Sequence, residues 1–262
     1  MVWQKLAVPS LLGNVLDPVM ALMAFGLGLG AMIAGVNGEP YLNYLAVGAV
    51  SVSAMNAATF ESLYSAFSRM HVQKTWDAIL NTPVRLHEIV LGEWVWAASK
   101  SAISVSCMMA VVAALGVGHS VFWVLGVPIL VLAGLIFAGL GLCINAKAPS
   151  FDFFMFYFTL AITPMTFLSG AFFPRAQLPV WLASVADGLP LSLGVDALRA
   201  LERGDGWGLL DRALLYTAVT RTRAACCIVG VLAAVRQAAG GGRGRASGTG
   251  HGQPRGARQR LP

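Results

Sequence analysis

Long apolar segments separated by short polar connections run through most of the chain. Each segment has at least the roughly 20 residues that an α-helix needs to cross the hydrocarbon core of a bilayer. The pattern predicts five spans, at residues 15–36, 42–67, 94–116, 121–145 and 151–172. Pro164 interrupts the fifth span, which neighbouring helices can accommodate. A sixth span should begin near Leu209, but Arg221 and Arg223 disrupt its apolar pattern.

The overall composition supports this interpretation. Hydrophobic residues make up 57% of the chain and charged residues 11%, and the mean hydropathy is +0.70. A soluble domain carries roughly twice that share of charge. The chain is therefore predicted to be an all-α polytopic membrane protein with six spans, the last of them disrupted.

The net charge of +6 does not describe the membrane-embedded part of the chain. Eight of the 18 basic residues lie in residues 221–262, and no acidic residue follows Asp211. The rest of the chain has ten basic and twelve acidic residues, so the charge does not indicate nucleic-acid binding. Residues 221–262 are rich in Gly and Arg and cannot form a core. They are either a genuine basic tail or a frameshifted reading.

The distribution of Lys and Arg predicts the orientation. Connections 37–41 and 117–120 contain no Lys and no Arg. The other side of the predicted bundle carries Lys5, Arg69, Lys74, Arg85 and Lys147. Because short cytoplasmic loops are enriched in positive charge, we expect the N-terminal segment 1–14 in the cytoplasm and segment 173–208 outside.

A polar island, Gln73–Glu93, separates the second and third spans. At helical period, Trp76 and Ile79 share one face, and Asp77 lies on the other. Thr82 followed by Pro83 is a candidate start for a second helix. The island therefore predicts two short amphipathic helices at the cytoplasmic surface, which act either as a simple connector or as a docking surface.

The stretch after the fifth span, "FLSGAFFPRAQLPVWL", has a different character. Ser169 and Gly170 should end the helix, and Pro174 and Pro179 forbid a simple continuation. The apolar residues that follow indicate a segment that either re-enters the membrane or lies along the lipid headgroups.

Candidate chemistry is sparse. The sequence contains no GxxxxGK[ST] loop for phosphate binding, no HExxH or GxSxG motif, and no cysteine–histidine cluster with metal-ligand spacing. Acidic residues within spans are few, and Asp17 and Glu61 are the candidates. Intramembrane carboxylates often have a function, although both can also lie near the interface.

Several stretches together resemble the membrane subunit of ABC-2 type exporters, and among these the nodulation protein J (NodJ) family. The stretches are "VWQKLAVPSLLGNVLDP", "GLGLGAMIAGV", "TFESLYSAFSRM", "TWDAILNTPVRLHEIVLGE", "APSFDFFMFYFTLAITPMTFLSGAFFP" and "LPLSLGVDALRAL". The likeness runs in order from Val2 to about Asp205. Family members usually have an interfacial helix before the position of Val2. Segment 1–14 is therefore expected to hold only the last part of that helix.

The resemblance implies a transmembrane domain at 15–220, with a coupling region at 68–93 and an external segment at 173–208. It implies a permease that dimerises in the bacterial inner membrane and pairs with two copies of a separate, NodI-like ATPase. That partner binds ATP and Mg, so this chain is expected to hold no cofactor or metal and to catalyse nothing. The coupling residues it implies are Lys74, Thr75, Trp76, Asp77, Pro83, Arg85 and Glu88.

The resemblance also implies a cargo, lipo-chitooligosaccharide nodulation factor, exported from the cytoplasm. Candidate residues for its path are Asp17, Glu61, Phe154 and Tyr157, and Ser169, Gly170 and Pro174 are candidates for an external cap. The aromatic residues can equally be packing residues. Three alternatives stay open: export of another lipid-linked saccharide or a hydrophobic drug, a membrane-embedded enzyme acting on lipid-linked sugars, and an assembly partner in a secretion apparatus.

Overall fold

The computed structural model describes residues 18–28, 38–117 and 123–203, with the isolated residues 13, 16, 30, 32, 35 and 36. Within these residues the protein is helical, and a single β-bridge joins Val36 and Glu39. The helices are α1 (Pro18–Gly28), α2 (Tyr41–Phe60), α3 (Thr75–Leu80), α4 (Leu86–Ala114), α5 (Trp123–Asn145), α6 (Asp152–Leu168), α7 (Val180–Asp187) and α8 (Pro190–Arg203). The all-α prediction is confirmed for this part of the chain. Asp17, the expected sixth span and the tail 221–262 lie outside it.

Two of the described helices are long and apolar enough to cross a membrane, namely α4 and residues Gly126–Asn145 of α5. The third span predicted at residues 94–116 lies largely within α4, which begins eight residues earlier, at Leu86. The second amphipathic helix of the polar island is thus the first turns of a 29-residue helix. Ile89 and Val90, on its apolar side, are buried.

Helix α2 continues beyond Phe60 through two π-helical turns, Glu61–Ser65 and Ser68–Val72. It therefore extends past the predicted end of the second span at residue 67. π-Helical turns inside α-helices are uncommon and frequently mark functional sites. Here they carry Glu61 and Arg69, two residues of the candidate site described below.

Pro164 does not break α6 into separate helices. A π-helical turn, Phe158–Ile162, comes directly before it. Proline has no N–H to donate to the carbonyl four residues earlier, and its ring crowds that carbonyl. The wider turn is the local adjustment that lets the helix continue to Leu168.

The core of the described bundle is formed by α2, α4 and α5, with α8 packed on α5. The chain after α6 comes very close to α2 at Gly48. A Cβ at this position would lie 2.2 Å from the carbonyl oxygen of Ala171. Only glycine permits this contact between the two backbones.

Helix α8 runs antiparallel to α5, with Gly194 near Leu130 and Ala133, and Leu198 against Gly126. Its first buried residue, Leu191, packs in the same cluster as Val52 and Met55 of α2. Val52 is roughly 16 Å along α2 from Tyr41, at 1.5 Å per residue. The start of α8 therefore packs against the middle of α2, and both alternatives for the stretch after the fifth span, re-entry and a position along the headgroups, stay predictions.

Candidate functional site

A short helix, α3, lies between the end of α2 and the start of α4. Lys74 precedes it with a left-handed backbone, φ 52°, which separates α3 from the end of α2. Thr75 is the first residue of α3. Lys74 and Asp77 are exposed, so the outer surface of α3 is charged, as the helical period predicted.

Trp76 attaches α3 to the bundle. Its side chain is buried and packs with Ala66, Ile89 and Val90. Its Nε1 donates a hydrogen bond of 3.3 Å to Oε1 of Glu93 on α4. Because the residue is both packed and hydrogen-bonded, a displacement of α3 must act on α4.

Arg69 joins α2 to α4 at the same level. Its Nε donates to Oε1 of Glu93 at 2.7 Å, and its terminal nitrogen donates to Oε1 of Glu61 at 2.9 Å and to the second oxygen of Glu93. Burial lowers the pKa of Arg69, but the hydrogen bonds and charges of Glu93 and Glu61 outweigh it, so the pKa lies above its ordinary value. The guanidinium is therefore a permanent cation between two carboxylates.

Glu61 is the most buried member of this cluster, with its side chain 4% exposed. Oε2 accepts hydrogen bonds from Nζ of Lys100 at 2.7 Å and from Oγ of Ser65 at 2.9 Å. Oε1 accepts from Nε1 of Trp96 at 2.8 Å. We call the joined side chains the Glu61 network, which comprises Glu61, Arg69, Trp76, Glu93, Trp96 and Lys100.

Sequence reasoning selected Glu61 and Trp76 but missed Arg69, Glu93, Trp96 and Lys100. One signal was available, because Lys100 falls inside the predicted third span and Glu61 inside the second. An ionisable residue in a span usually faces a partner of opposite charge. Two such residues in consecutive spans therefore indicate an ion pair. The contribution of Trp96 carries no comparable signal in the sequence.

The predicted start of a helix at Thr82 and Pro83 is wrong. The hydroxyl of Thr82 bonds back to the carbonyl of Ile79 at 2.6 Å, and Pro83 lies in the turn that follows α3. Helix α4 is preceded by Arg85, whose backbone N–H donates to Oε2 of Glu88 at 2.7 Å. Glu88, proposed as a docking residue, thus also caps α4.

Phe154, a predicted path residue, is fully buried in a cluster of rings. Its ring centroid lies 5.2 Å from those of Tyr64 and Phe67 and 6.2 Å from that of Phe151. In this conformation it contacts protein on all sides. Tyr157 is half-buried between two apolar clusters, and its role in a path stays a prediction.

The predicted external cap lies where α6 ends and the chain turns. Gly170 has φ +81°, a conformation that favours glycine. Its carbonyl oxygen accepts hydrogen bonds from Tyr44 Oη at 2.8 Å and from Arg199 at 2.6 Å. The Arg199 guanidinium also lies 3.8 Å from the centre of the Tyr44 ring. The break after α6 is therefore fastened to both α2 and α8.

The neighbouring cap residues contribute to the same turn. Ser169 is buried, and its hydroxyl donates to the carbonyl of Thr166 at 2.9 Å. Pro174 precedes a 3₁₀ turn, Arg175–Gln177. Arg175 bonds to Asp187 at 2.7 Å and also to Asp196. These ion pairs link the turn to α7 and α8.

Comparisons with known proteins agree with the resemblance. The ABC-2 type transporter family matches residues 3–202 of the chain. The chain is 48% identical over 202 residues to nodulation protein J of Rhizobium leguminosarum bv. trifolii, with 77% of each chain covered. It is 44% identical over 232 residues to nodulation protein J of Bradyrhizobium diazoefficiens, covering 88% of this chain and 84% of that protein.

A more distant similarity links the chain to a bacterial transport protein of another organism. It is 25% identical over 178 residues to the inner membrane transport permease YadH of Escherichia coli, covering 68% of this chain and 69% of that one. No solved structure matches the chain.

Proposed function

The chain belongs to the ABC-2 type transporter family and is a transport permease subunit rather than an enzyme, and from this premise we propose that it exports lipo-chitooligosaccharide nodulation factor from the cytoplasm. In this proposal it crosses the inner membrane several times and forms a homodimer. Two copies of a NodI-like ATPase bind it and supply the energy from ATP and Mg.

One structural observation carries the mechanical part of the proposal. Helix α3 presents a charged outer face and is attached through Trp76 and Glu93 to α4, and through Arg69 and Glu61 to α2. A force on α3 therefore reaches two neighbouring helices through polar contacts of 2.7–3.3 Å. Such contacts are directional and resist sliding better than apolar packing does. This arrangement suits a surface through which a partner ATPase drives the membrane helices.

The cargo and the location rest on the relatives. The names of the nodulation protein J relatives, 44% to 48% identical, support a role in nodulation. The name of the Escherichia coli relative supports the inner membrane and a transport role. The absence of phosphate-binding and hydrolytic motifs from the sequence agrees with a separate ATPase.

The decisive experiment is export by bacteria that lack their own copy of the gene. The cells express this chain with a NodI-like ATPase, and labelled lipo-chitooligosaccharide is measured in the medium and in the cells. Export that requires the permease and an active ATPase is expected. Cargo that stays inside, also when the disrupted sixth span is replaced by an apolar one, contradicts the cargo assignment. Export of a different lipid-linked saccharide or a hydrophobic drug in the same cells would identify the alternative.

A further inference from the structure

An open groove of about 530 Å³ lies beside α3, between the turn after that helix and the first turns of α4. Its lining includes Ile79, Val84, Glu88, Gly92 and Trp96, together with Arg69 and Glu93 of the Glu61 network. We propose that this groove binds the saccharide head group of the exported amphiphile on the cytoplasmic side. This inference rests on the proposed function and adds a loading site to it.

The size and the lining suit a small polar molecule with apolar faces. Ligand pockets commonly measure 300–1,000 Å³ and combine apolar walls with a few convergent polar groups. The tryptophan in this wall is held in place, because its Nε1 donates to Glu61 at 2.8 Å. A fixed aromatic side chain offers a broad surface at little cost in conformational entropy, and the C–H face of a pyranose ring can stack on it.

The charges of the groove favour a ligand that carries hydrogen-bond donors over a ligand that is an anion. Glu88 uses Oε2 to cap α4, while its other oxygen accepts no hydrogen bond from the described residues. Arg69 is shared between Glu61 and Glu93, so its charge is already balanced. Hydroxyl and amide N–H groups can bond to the remaining carboxylate oxygen. The phosphate of a lipid headgroup would instead face the carboxylate of Glu88.

The surroundings provide a place for an acyl chain. Leu91 is 42% exposed and Val95 57% exposed, and they are neighbours of Gly92 and Trp96 on α4. A head group in the groove therefore lies next to an apolar surface that continues along the helix. A lipid tail can lie on this exposed apolar surface while its head group is in the groove.

The groove and the Asp77 face of α3 point in different directions, although Glu88, an implied coupling residue, lies in the groove wall. Asp77 is two residues before Ile79, about 200° around the helix axis at 3.6 residues per turn. Since Ile79 lines the groove, Asp77 points away from it. A bound head group consequently leaves this charged face free for the ATPase, while it contacts Arg69 and Glu93 of the Glu61 network.

Gly92 allows a direct test, because a Cβ at this position meets no atom within 4 Å. We would measure the binding of fluorescent acylated chitotetraose to the full chain in phosphatidylcholine nanodiscs. Gly92→Ala should bind within about twofold of the original chain, Gly92→Leu about fivefold more weakly, and Gly92→Trp at least about tenfold more weakly, as the added side chain fills the groove.

Two further variants control for fold and charge. Glu88→Gln keeps an oxygen that can cap α4 but removes the charge, and it should weaken binding about threefold. Ile103→Trp places the same indole side chain on an exposed site of α4 outside the groove and should bind as the original chain does. The unfolding temperature of each variant shows that the helices are intact.

Several outcomes of the binding experiment would contradict the inference. Equal affinity of Gly92→Trp and the original chain, or no binding of the probe to the original chain, overturns the inference. So does stronger competition by phosphatidylglycerol than by unlabelled acylated chitotetraose, which would assign the groove to lipid. Displacement of the probe by the purified ATPase alone would make the groove part of the docking interface and also overturn it.

Export measurements separate this inference from the function on which it rests. If the original chain and Gly92→Trp export at the same rate, the groove is not a loading site, while the exporter assignment stands. If the original chain binds the probe through the groove but exports no cargo with an active ATPase, the exporter assignment fails and the saccharide site remains.

Discussion

Trp76 on α3 and Glu93 on α4 are joined by a hydrogen bond of 3.3 Å between Nε1 and Oε1. Glu93 also accepts hydrogen bonds from Arg69, which in turn contacts Glu61. The short surface helix is therefore fastened to two long helices through a single carboxylate. This relationship makes the Glu61 network the first place to test how movement passes through the protein.

Replacing Trp76 by Phe should separate attachment from docking. The ring still fills the apolar site, but the bond to Glu93 is lost, and the free energy of unfolding in detergent should fall by about 1 kcal/mol. If α3 transmits ATPase movement, the amount of cargo exported per ATP hydrolysed should fall while the ATPase stays bound. Trp181→Phe is the matched control, because that side chain is 70% exposed on α7. Unchanged coupling in Trp76→Phe would show that the bond transmits nothing.

Removing the charge of Glu61 should be costly. In Glu61→Gln, Arg69 loses one of its two carboxylates, and the carboxylate contact of Lys100 at 2.7 Å is also lost. Deleting one partner of a buried ion pair typically costs about 3–5 kcal/mol, and chemical unfolding in mild detergent measures it. Asp152→Asn, an exposed acid in the first turn of α6, should cost less than about 1 kcal/mol. Similar small losses for both variants would mean that the network is not a stabilising unit.

Two glycine-to-alanine substitutions should have opposite effects. In Gly48→Ala the new Cβ would lie 2.2 Å from the carbonyl oxygen of Ala171, so the backbones must separate and stability should fall by about 1–3 kcal/mol. In Gly92→Ala the Cβ meets nothing within 4 Å, and the better helix propensity should add up to about 1 kcal/mol. Thermal unfolding of the purified variants compares them. Equal stability of both would contradict the close approach at Gly48.

Charge reversal on α3 tests the docking surface. Asp77→Lys changes the exposed face without touching the buried contacts of Trp76, so the fold should be unaffected. Recovery of a NodI-like ATPase in a detergent pull-down should fall severalfold, because rim charges chiefly alter association. Asp152→Lys, also an exposed acid, should leave recovery unchanged. Full recovery with Asp77→Lys would remove this residue from the docking surface.

Glu202 near the end of α8 should make stability depend on pH. Burial, and then the charge of Glu39, raise the pKa of Glu202 from 4.5 to about 7. The folded state therefore retains a proton that the unfolded state has lost, and stability should fall as pH rises from about 4.5 through 7. Glu202→Gln should unfold a few degrees higher than the original chain at pH 8 and at nearly the same temperature at pH 5. The same difference at both pH values would contradict this.

Local patterns in the sequence were sufficient for the elements whose causes are local. The helical class and the end of α6 at Ser169 and Gly170 were predicted from hydrophobicity and helix-breaking residues. The start of α4 was misassigned, although its cause is also local. Thr82 and Pro83 have the more familiar composition of a helix start, whereas Arg85 and Glu88 make the hydrogen bond that begins the helix.

Only the tertiary structure decided which side chains meet. Glu61 and Lys100 are 39 positions apart, and their contact depends on how α2 and α4 are rotated against each other. The packing of α8 on α5 depends on Gly126, where the absence of a side chain leaves room for Leu198. Hydrophobic pattern determines that a segment is a helix, because the period of apolar positions depends only on residues close together in the chain. It leaves the rotation and depth of that helix open, because these are set by packing among residues distant in the chain.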